Sequence, residues 1–370
     1  MKSLTHRIDR PRPGQLGRAT IERCDRKRIL PMRRFLLCLT LMATAVAGAA
    51  AARPRDVWLV GIPPWARANV FHDPSPSDYL DMFSPDAPWE KSARQLRVFQ
   101  TTGALINRES DETLQRVFAD LKRRHIALAI GGGLLTGVGA SGQFECGRGV
   151  EGFSAAGSTR VLAERIKKNG GDLAYIVLDE PLWYGHHVSS ANACQWSPEY
   201  LARQILGQLK QVREIFPAVK VGDVEPIAAP PPQPTDWNDQ VVAWTRTWRQ
   251  VTGEPFVFVR ADVVWKGPWR QELPALKRKL HAEGLTYSLI YDGGGLGRTE
   301  TDPIWTQEAA QRFHAIEADP QMAPDQAVIQ TWVRWPSHML PETQPGTLTN
   351  LLLQYLSLPT PEYGRGDGEH

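Results

Sequence analysis

The chain has few cysteines and, beyond its first residues, no excess of positive charge. Of four cysteines, Cys24 and Cys38 fall in the first 52 residues, which leaves Cys146 and Cys194 for the remainder. Those 52 residues hold 11 Lys and Arg against 3 Asp and Glu, so the formal charge of +3 becomes about −5 for residues 53–370. Nucleic-acid binding needs a basic surface, so this balance excludes a nucleic-acid partner.

Several sequence signatures of catalysis are missing as well. No C-x-x-C pair supports a zinc site, and no G-x-S-x-G nucleophile elbow is present. We therefore predict no metal and no cofactor. In an oxidising compartment the two remaining cysteines predict one disulfide, between Cys146 and Cys194. Two buried free thiols are the alternative.

Residues 1–52 read as an upstream extension and a secretory signal peptide. Arg33 and Arg34 precede an apolar run over 35–47, and small residues follow at 48–52, as at a cleavage site. The run is short for a membrane anchor, which is the alternative, and Met32 is a possible start. We predict that residues 53–370 are secreted or periplasmic, with no stable membrane association after cleavage.

Eight short apolar runs alternate with segments of helical period across residues 53–370, which we predict to form one domain. The predicted strands are 56–62, 98–102, 126–130, 174–178, 219–221, 256–259, 287–290 and 327–330. Ser110 and Ser197 are expected to cap the helices that follow them. This alternation predicts a parallel sheet, and eight units favour a single closed (β/α)₈ TIM barrel over a doubly wound sheet.

Acidic residues cluster at four consecutive strand ends, where barrels of this type place their active sites. They are Asp179 and Glu180 after strand four, Asp223 and Glu225 after strand five, Asp262 after strand six and Asp292 after strand seven. Glycoside hydrolysis needs one protonated and one ionised carboxyl group, and crowding separates their pKa values. Ion pairing or helix capping is the alternative role for any one of these acids.

Glu180 is the predicted general acid. It precedes Pro181, which predicts an extended backbone and a fixed side-chain direction. Its neighbour Asp179 should point to the opposite face of a regular strand, whereas Asp223 and Glu225 should share a face. The second catalytic carboxylate stays open among Asp179, Glu225, Asp262 and Asp292.

Tryptophans support a carbohydrate ligand, because aromatic rings stack on the apolar faces of sugars. Four lie at or just past strand ends, and we predict that they bind substrate together with Asp223 and Gln330. These tryptophans are Trp65, Trp183, Trp265 and Trp332. A glycine-rich loop over 292–298 supports a different ligand, a phosphate, because phosphate sites often follow strand seven.

These residues resemble the glycoside hydrolase superfamily of (β/α)₈ barrels, and the chain is also similar to secreted bacterial barrel proteins of unassigned activity. In the large retaining clan strand four ends in Asn-Glu-Pro, which resembles Asp179-Glu180-Pro181 and implies Glu180 as acid/base. The resemblance matches Trp332 to the aromatic platform after strand eight, but Asp292 stands where the clan has its second Glu. Another clan, with aspartates after strands four and six, implies Asp179 and Asp262.

The predicted function is a secreted O-glycosidase that acts on an oligo- or polysaccharide. A non-catalytic glycan-binding barrel and a metal-dependent phosphodiester hydrolase are the alternatives.

Overall fold

A computed structural model describes residues 56–138, 142–295 and 300–359, and the predicted signal segment lies outside them. Eight parallel strands close into a barrel in the order of the chain, which confirms the predicted (β/α)₈ TIM barrel. The strands are β1 (Asp56–Val60), β2 (Val98–Thr102), β3 (Ala127–Gly131), β4 (Leu173–Asp179), β5 (Lys220–Ile227), β6 (Val259–Val263), β7 (Tyr287–Tyr291) and β8 (Gln326–Gln330).

Helices cover the outside of the barrel. Within the described residues they are α1 (Glu90–Ala93), α2 (Gly103–Arg108), α3 (Asp111–Arg123), α4 (Ser158–Lys168), α5 (Pro198–Arg213), α6 (Trp237–Thr252), α7 (Trp269–Ala282), α8 (Asp302–Glu317) and α9 (Leu348–Leu356). Ser110 and Ser197 cap α3 and α5 as predicted, since their side chains accept the amides of Thr113 and Tyr200. No helix in this part of the chain is long and apolar enough to cross a membrane.

Side chains alternate between the barrel interior and the layer under the helices. The interior cluster consists of Trp58, Val60, Val98, Ala129, Val177, Val224, Phe258, Ile290 and Val328. A larger apolar cluster joins the outer faces of the strands to the helices. The alternation decides which strand-end side chains face the cleft at the mouth of the barrel.

Two predicted strands are displaced along the chain. Strand six is not 256–259 but begins at Val259, which is the first residue that pairs with both Asp223 on β5 and Tyr287 on β7. Asp262 therefore lies within β6 rather than after it. Strand five runs well beyond 219–221, to Ile227, so the acids predicted to follow it lie inside β5.

The predicted disulfide is confirmed. Cys146 and Cys194 are bonded, with their Cα atoms 5.1 Å apart, and they join the loop after β3 to the loop after β4. Structural disulfides are typical of proteins that fold in an oxidising compartment.

We expect this bond to stabilise the barrel, because it closes a loop with a sequence separation of 48 residues. Removing a cross-link over a loop of that size costs about 2–4 kcal/mol of unfolding free energy. Thermal unfolding with and without a reductant measures the effect. The Cys146→Ser/Cys194→Ser variant is the control, since its midpoint should not respond to the reductant. A wild-type midpoint that also does not respond would contradict the expectation.

Candidate active site

Two cavities at the carboxyl ends of the strands form one cleft. The first has a volume of about 320 Å³ and the second about 550 Å³. Four side chains line both cavities and so mark their junction: Glu180, Tyr184, Asp262 and Trp332. A linear ligand that occupies both cavities would pass these residues at its middle.

Glu180 leaves β4 with a left-handed backbone, at a φ of 49°. Its N–H still donates to the Val224 carbonyl of β5 (3.0 Å), and its carbonyl accepts the Tyr184 amide (2.9 Å). The extended conformation predicted from Pro181 is therefore wrong, because the chain must turn here from the strand into a helical turn. Such a conformation costs a non-glycine residue about 1–2 kcal/mol.

The turn at Glu180 also breaks the alternation of side chains along β4. A regular strand would direct only one of Asp179 and Glu180 toward the cleft, but both line the first cavity. Asp262 joins them from β6, two strands away in the barrel order. Among the described residues, none of these three carboxyl groups has a hydrogen-bond or salt-bridge partner for its side chain.

Burial and mutual repulsion separate the pKa values of these groups. Burial raises the pKa of Glu180 to about 10, and the charges of Asp262 and Asp179 add to the shift. Burial is the larger cause and the charge of Asp292 the next of a shift that raises the pKa of Asp262 to about 8. Burial raises the pKa of Asp179 to about 6, with a contribution from Glu151. Glu180 is thus the last of the three to ionise.

Asp292 lines the second cavity, but its carboxylate is already engaged. Oδ1 accepts hydrogen bonds from Trp265 Nε1 (2.5 Å) and from Arg312 Nη1 (3.2 Å). Burial raises the pKa of Asp292 to about 6, while Arg312 and the indoles of Trp265 and Trp332 oppose the shift. The structure therefore places Asp292 at the cleft as an anchor for aromatic side chains.

Asp223 and Glu225 do share a face, as predicted, but that face lies under the helices. Val224 between them points into the barrel, and both acids are fully buried outside the cleft. Asp223 accepts the Trp244 indole N–H of α6 (3.2 Å). The structure does not bring these two residues together with Glu180 in the cleft.

Glu225 supports the segment that carries Glu180. Its two carboxylate oxygens accept the amides of Leu182 (2.7 Å) and Trp183 (3.1 Å), directly after the Glu180–Pro181 turn. Burial raises the pKa of Glu225 well above its usual range, the charges of Asp223 and Glu180 add to this, and the two amide donors oppose it. This carboxyl group holds the backbone of the turn from behind.

The predicted aromatic residues lie at the cleft, and so does Gln330. Trp65 and Gln330 line the first cavity, Trp183 and Trp265 line the second, and Trp332 lines both. Trp332 is 62% exposed, which is unusual for a tryptophan, so its ring is available to a ligand.

Glu151 and Tyr184 also belong to the cleft, although the sequence did not predict them. Both line the first cavity, and burial followed by the carboxylate of Glu151 raises the pKa of Tyr184. Glu151 belongs to the loop after β3 and Tyr184 to the helical turn after β4, the two connections that the disulfide ties together. No strand-end signal marks loop residues of this kind.

The glycine loop after β7 is poorly suited to a phosphate. The amide of Gly294 donates to Glu308 (3.0 Å) and that of Gly295 to Glu300 (3.2 Å), so carboxylates already occupy these donors. Residues 296–299 of the predicted loop lie outside the described residues. In the described part, no three His, Cys, Asp or Glu residues converge as metal ligands would.

Comparison with solved structures gives the fold. The catalytic domain of family GH53 from Ignisphaera aggregans matches with a TM-score of 0.51 at 11% identity, covering 84% of this chain and 97% of that one. The chain shares the fold of glycoside hydrolase barrels. Xylanase 10B from Thermotoga maritima matches with a TM-score of 0.45 at 11% identity, covering 82% and 95%. Comparison with family models and with curated proteins gives no match.

Proposed function

We propose that this protein is a glycoside hydrolase that cleaves an oligo- or polysaccharide bound along the cleft. Glu180 donates a proton to the leaving oxygen, and Asp262 is its ionised partner. The observation that carries this proposal is the position of the pair, because they are the two acids that line both cavities. A glycosidic bond placed between them would have sugar units on each side.

The same geometry supports Asp262 as the partner of Glu180. Asp179 lines the first cavity but not the second, and Asp292 lines the second but not the first. Asp292 is also tied to Trp265 and Arg312. Asp262 has no such bonds and is the neighbouring charge that raises the pKa of Glu180 most. An acid and an ionised carboxylate in one site suit both retaining and inverting hydrolysis.

The charge of the cleft favours a neutral or amine-bearing glycan over a polyuronate. Among the described lining residues of both cavities six are acidic and Lys266 is basic, so acidic residues outnumber the basic one even where Glu180 and Asp262, with their raised pKa values, are protonated. Like charge repels an anionic ligand and lowers its rate of binding. A panel of hexasaccharides of glucose, xylose, mannose, galactose, N-acetylglucosamine, glucosamine and galacturonic acid tests the function. If the protein cleaves none of these hexasaccharides, the proposed function is contradicted.

The pH dependence of kcat/KM should reflect this pair. Activity needs Asp262 ionised and Glu180 protonated, so kcat/KM should rise as pH increases through about 8 and fall above about 10. Initial rates on a cleaved hexasaccharide between pH 4 and 11 measure this. An optimum near pH 4–5 would show that another pair carries the reaction.

A non-catalytic glycan-binding barrel is the second candidate, and the engaged carboxylate of Asp292 favours it. Both candidates predict that Trp332→Ala weakens glycan binding, by about tenfold or more, because an exposed aromatic face is lost. Isothermal titration with the bound hexasaccharide measures this. Unchanged affinity would remove Trp332 from the ligand site, and hydrolysis by the wild type separates the two candidates.

We further propose that the chain is exported to the periplasm or the medium. The disulfide and the signal-like segment at residues 33–52 support export. Mass spectrometry of the protein from each cell fraction tests this, and a cytoplasmic, uncleaved chain would contradict it.

A further inference from the structure

A buried arginine lies on the barrel interior directly beneath the cleft. Arg260 of β6 is completely buried, and its guanidinium lies 4.7 Å from the ring centre of Trp58 and 4.6 Å from that of Phe258. Among the described residues no carboxylate lies within salt-bridge distance of it. Its hydrogen-bond partners are all neutral, and the more distant charges of Asp56 and Asp262 offset only part of the cost of burial, which points to a role beyond packing.

The hydrogen bonds of Arg260 form a chain that ends at the cleft. Asp56 accepts Gln326 Nε2 (3.2 Å), and Gln326 Oε1 accepts Arg260 Nη2 (3.1 Å). Arg260 Nη1 in turn donates to Gln100 Oε1 (2.8 Å). Since a guanidinium can only donate, the Gln100 oxygen must face it, and the Gln100 amide nitrogen must face the other way.

That nitrogen is a donor without a partner in the described residues. Gln100 is 8% exposed and lines the first cavity, so its remaining accessible atoms face the cleft. The neighbouring strand leaves room for it, because a Cβ on Gly131 would lie 2.5 Å from Nε2. A nearly buried N–H that opens into a cavity is suited to an oxygen of a ligand.

We propose that Gln100 binds a hydroxyl oxygen of the glycan at the floor of the first cavity, and that Arg260 is the positioning residue that orients its amide. The inference rests on the proposed function and adds a specificity residue to it. Gln100 fixes one sugar unit relative to Glu180 and Asp262. Arg260 does not touch the ligand: it orients Gln100, and its charge also lowers the pKa of Asp262.

The first variant is Gln100→Glu, which keeps an oxygen toward Arg260, replaces the donor that faces the cleft by an acceptor and adds a negative charge. Its thermal midpoint should be no lower than that of the wild type, since it gains an ion pair with Arg260. Its kcat/KM on the best-cleaved neutral hexasaccharide should fall by about 10- to 100-fold, as for a lost hydrogen bond to a substrate hydroxyl. Gln100→Met, of similar length, should show a loss of similar size.

A double-mutant cycle tests the role of Arg260. Because the charge of Arg260 also lowers the pKa of Asp262, each protein is compared at its own pH optimum. If Arg260 positions Gln100, Arg260→Met added to Gln100→Met should lower this kcat/KM little further, whereas independent roles give additive losses. Additive losses would overturn the positioning role. Unchanged kcat/KM in an active, folded Gln100→Glu protein would overturn the binding role and leave the proposed function standing. A wild type that neither binds nor cleaves any hexasaccharide would overturn both.

Discussion

Glu180→Gln is expected to lower kcat on an oligosaccharide by about 10³-fold and to leave binding nearly unchanged. Glutamine has the size of glutamate but cannot donate the proton that the leaving oxygen needs, and general acid catalysis contributes about 10²–10⁴-fold. The left-handed turn, with its bonds to Val224 and Tyr184, involves only the backbone and should persist. Initial rates and titration calorimetry on the same hexasaccharide give the two quantities.

Glu300→Gln is a matched control for this variant. Glu300 also lines the second cavity, but it accepts the Gly295 amide and does not lie at the junction of the cavities. Its kcat should stay within about threefold of the wild type, since it takes no part in proton transfer. Equal losses in the two variants would mean that the cleft tolerates no Glu→Gln substitution, and the acid role of Glu180 would then lose its support.

The Glu225→Gln substitution, in contrast, is expected to lower the stability of the fold. Glu225→Gln places an amide NH₂ against one of two backbone donors, the amides of Leu182 and Trp183. One acceptor is lost and two donors face each other in a fully buried site, which should cost about 2–4 kcal/mol of unfolding free energy. Chemical denaturation of the purified variant measures the cost.

Glu180→Gln serves as the comparison for stability. Its carboxyl group has a pKa of about 10 in the fold, so above its ordinary pKa the ionised form opposes folding, increasingly up to the raised value. Replacing it by an amide should therefore leave stability at pH 8 unchanged or raise it. A Glu225→Gln protein as stable as the wild type would contradict the supporting role of Glu225.

The fold was predictable because every unit carries the same signal. Eight apolar runs alternate with helical segments, and the apolar stripes of α3 and α5 are long enough to identify without tertiary information. The position of β6 was not predictable, because its inward residues Arg260 and Asp262 are ionisable and interrupt the apolar pattern of a strand. An arginine is not expected inside a barrel from sequence alone. The apolar residues 256–258 resemble a buried strand more closely than residues 259–263 do.

The cleft was predictable in part. Strand ends located Asp179, Glu180, Asp262 and Asp292, because parallel strands bring their carboxyl ends to one face. The register of β5 decided the positions of Asp223 and Glu225: because Val224 between them points into the barrel, both acids point to the outer face. The left-handed turn at Glu180 depends on hydrogen bonds to β5 and to the next helical turn. The backbone preference of a residue before proline does not take such tertiary bonds into account.

The response of Glu180→Gln to leaving-group acidity is the sharpest test of Glu180 as the general acid. The measurement compares wild type and variant on two substrates, an oligosaccharide and the dinitrophenyl glycoside of the same sugar, whose leaving group needs no proton. If Glu180 is the general acid, kcat/KM of the variant should be about 10³-fold below that of the wild type on the oligosaccharide and less than about tenfold below it on the dinitrophenyl glycoside. Equal losses on both substrates would contradict the account.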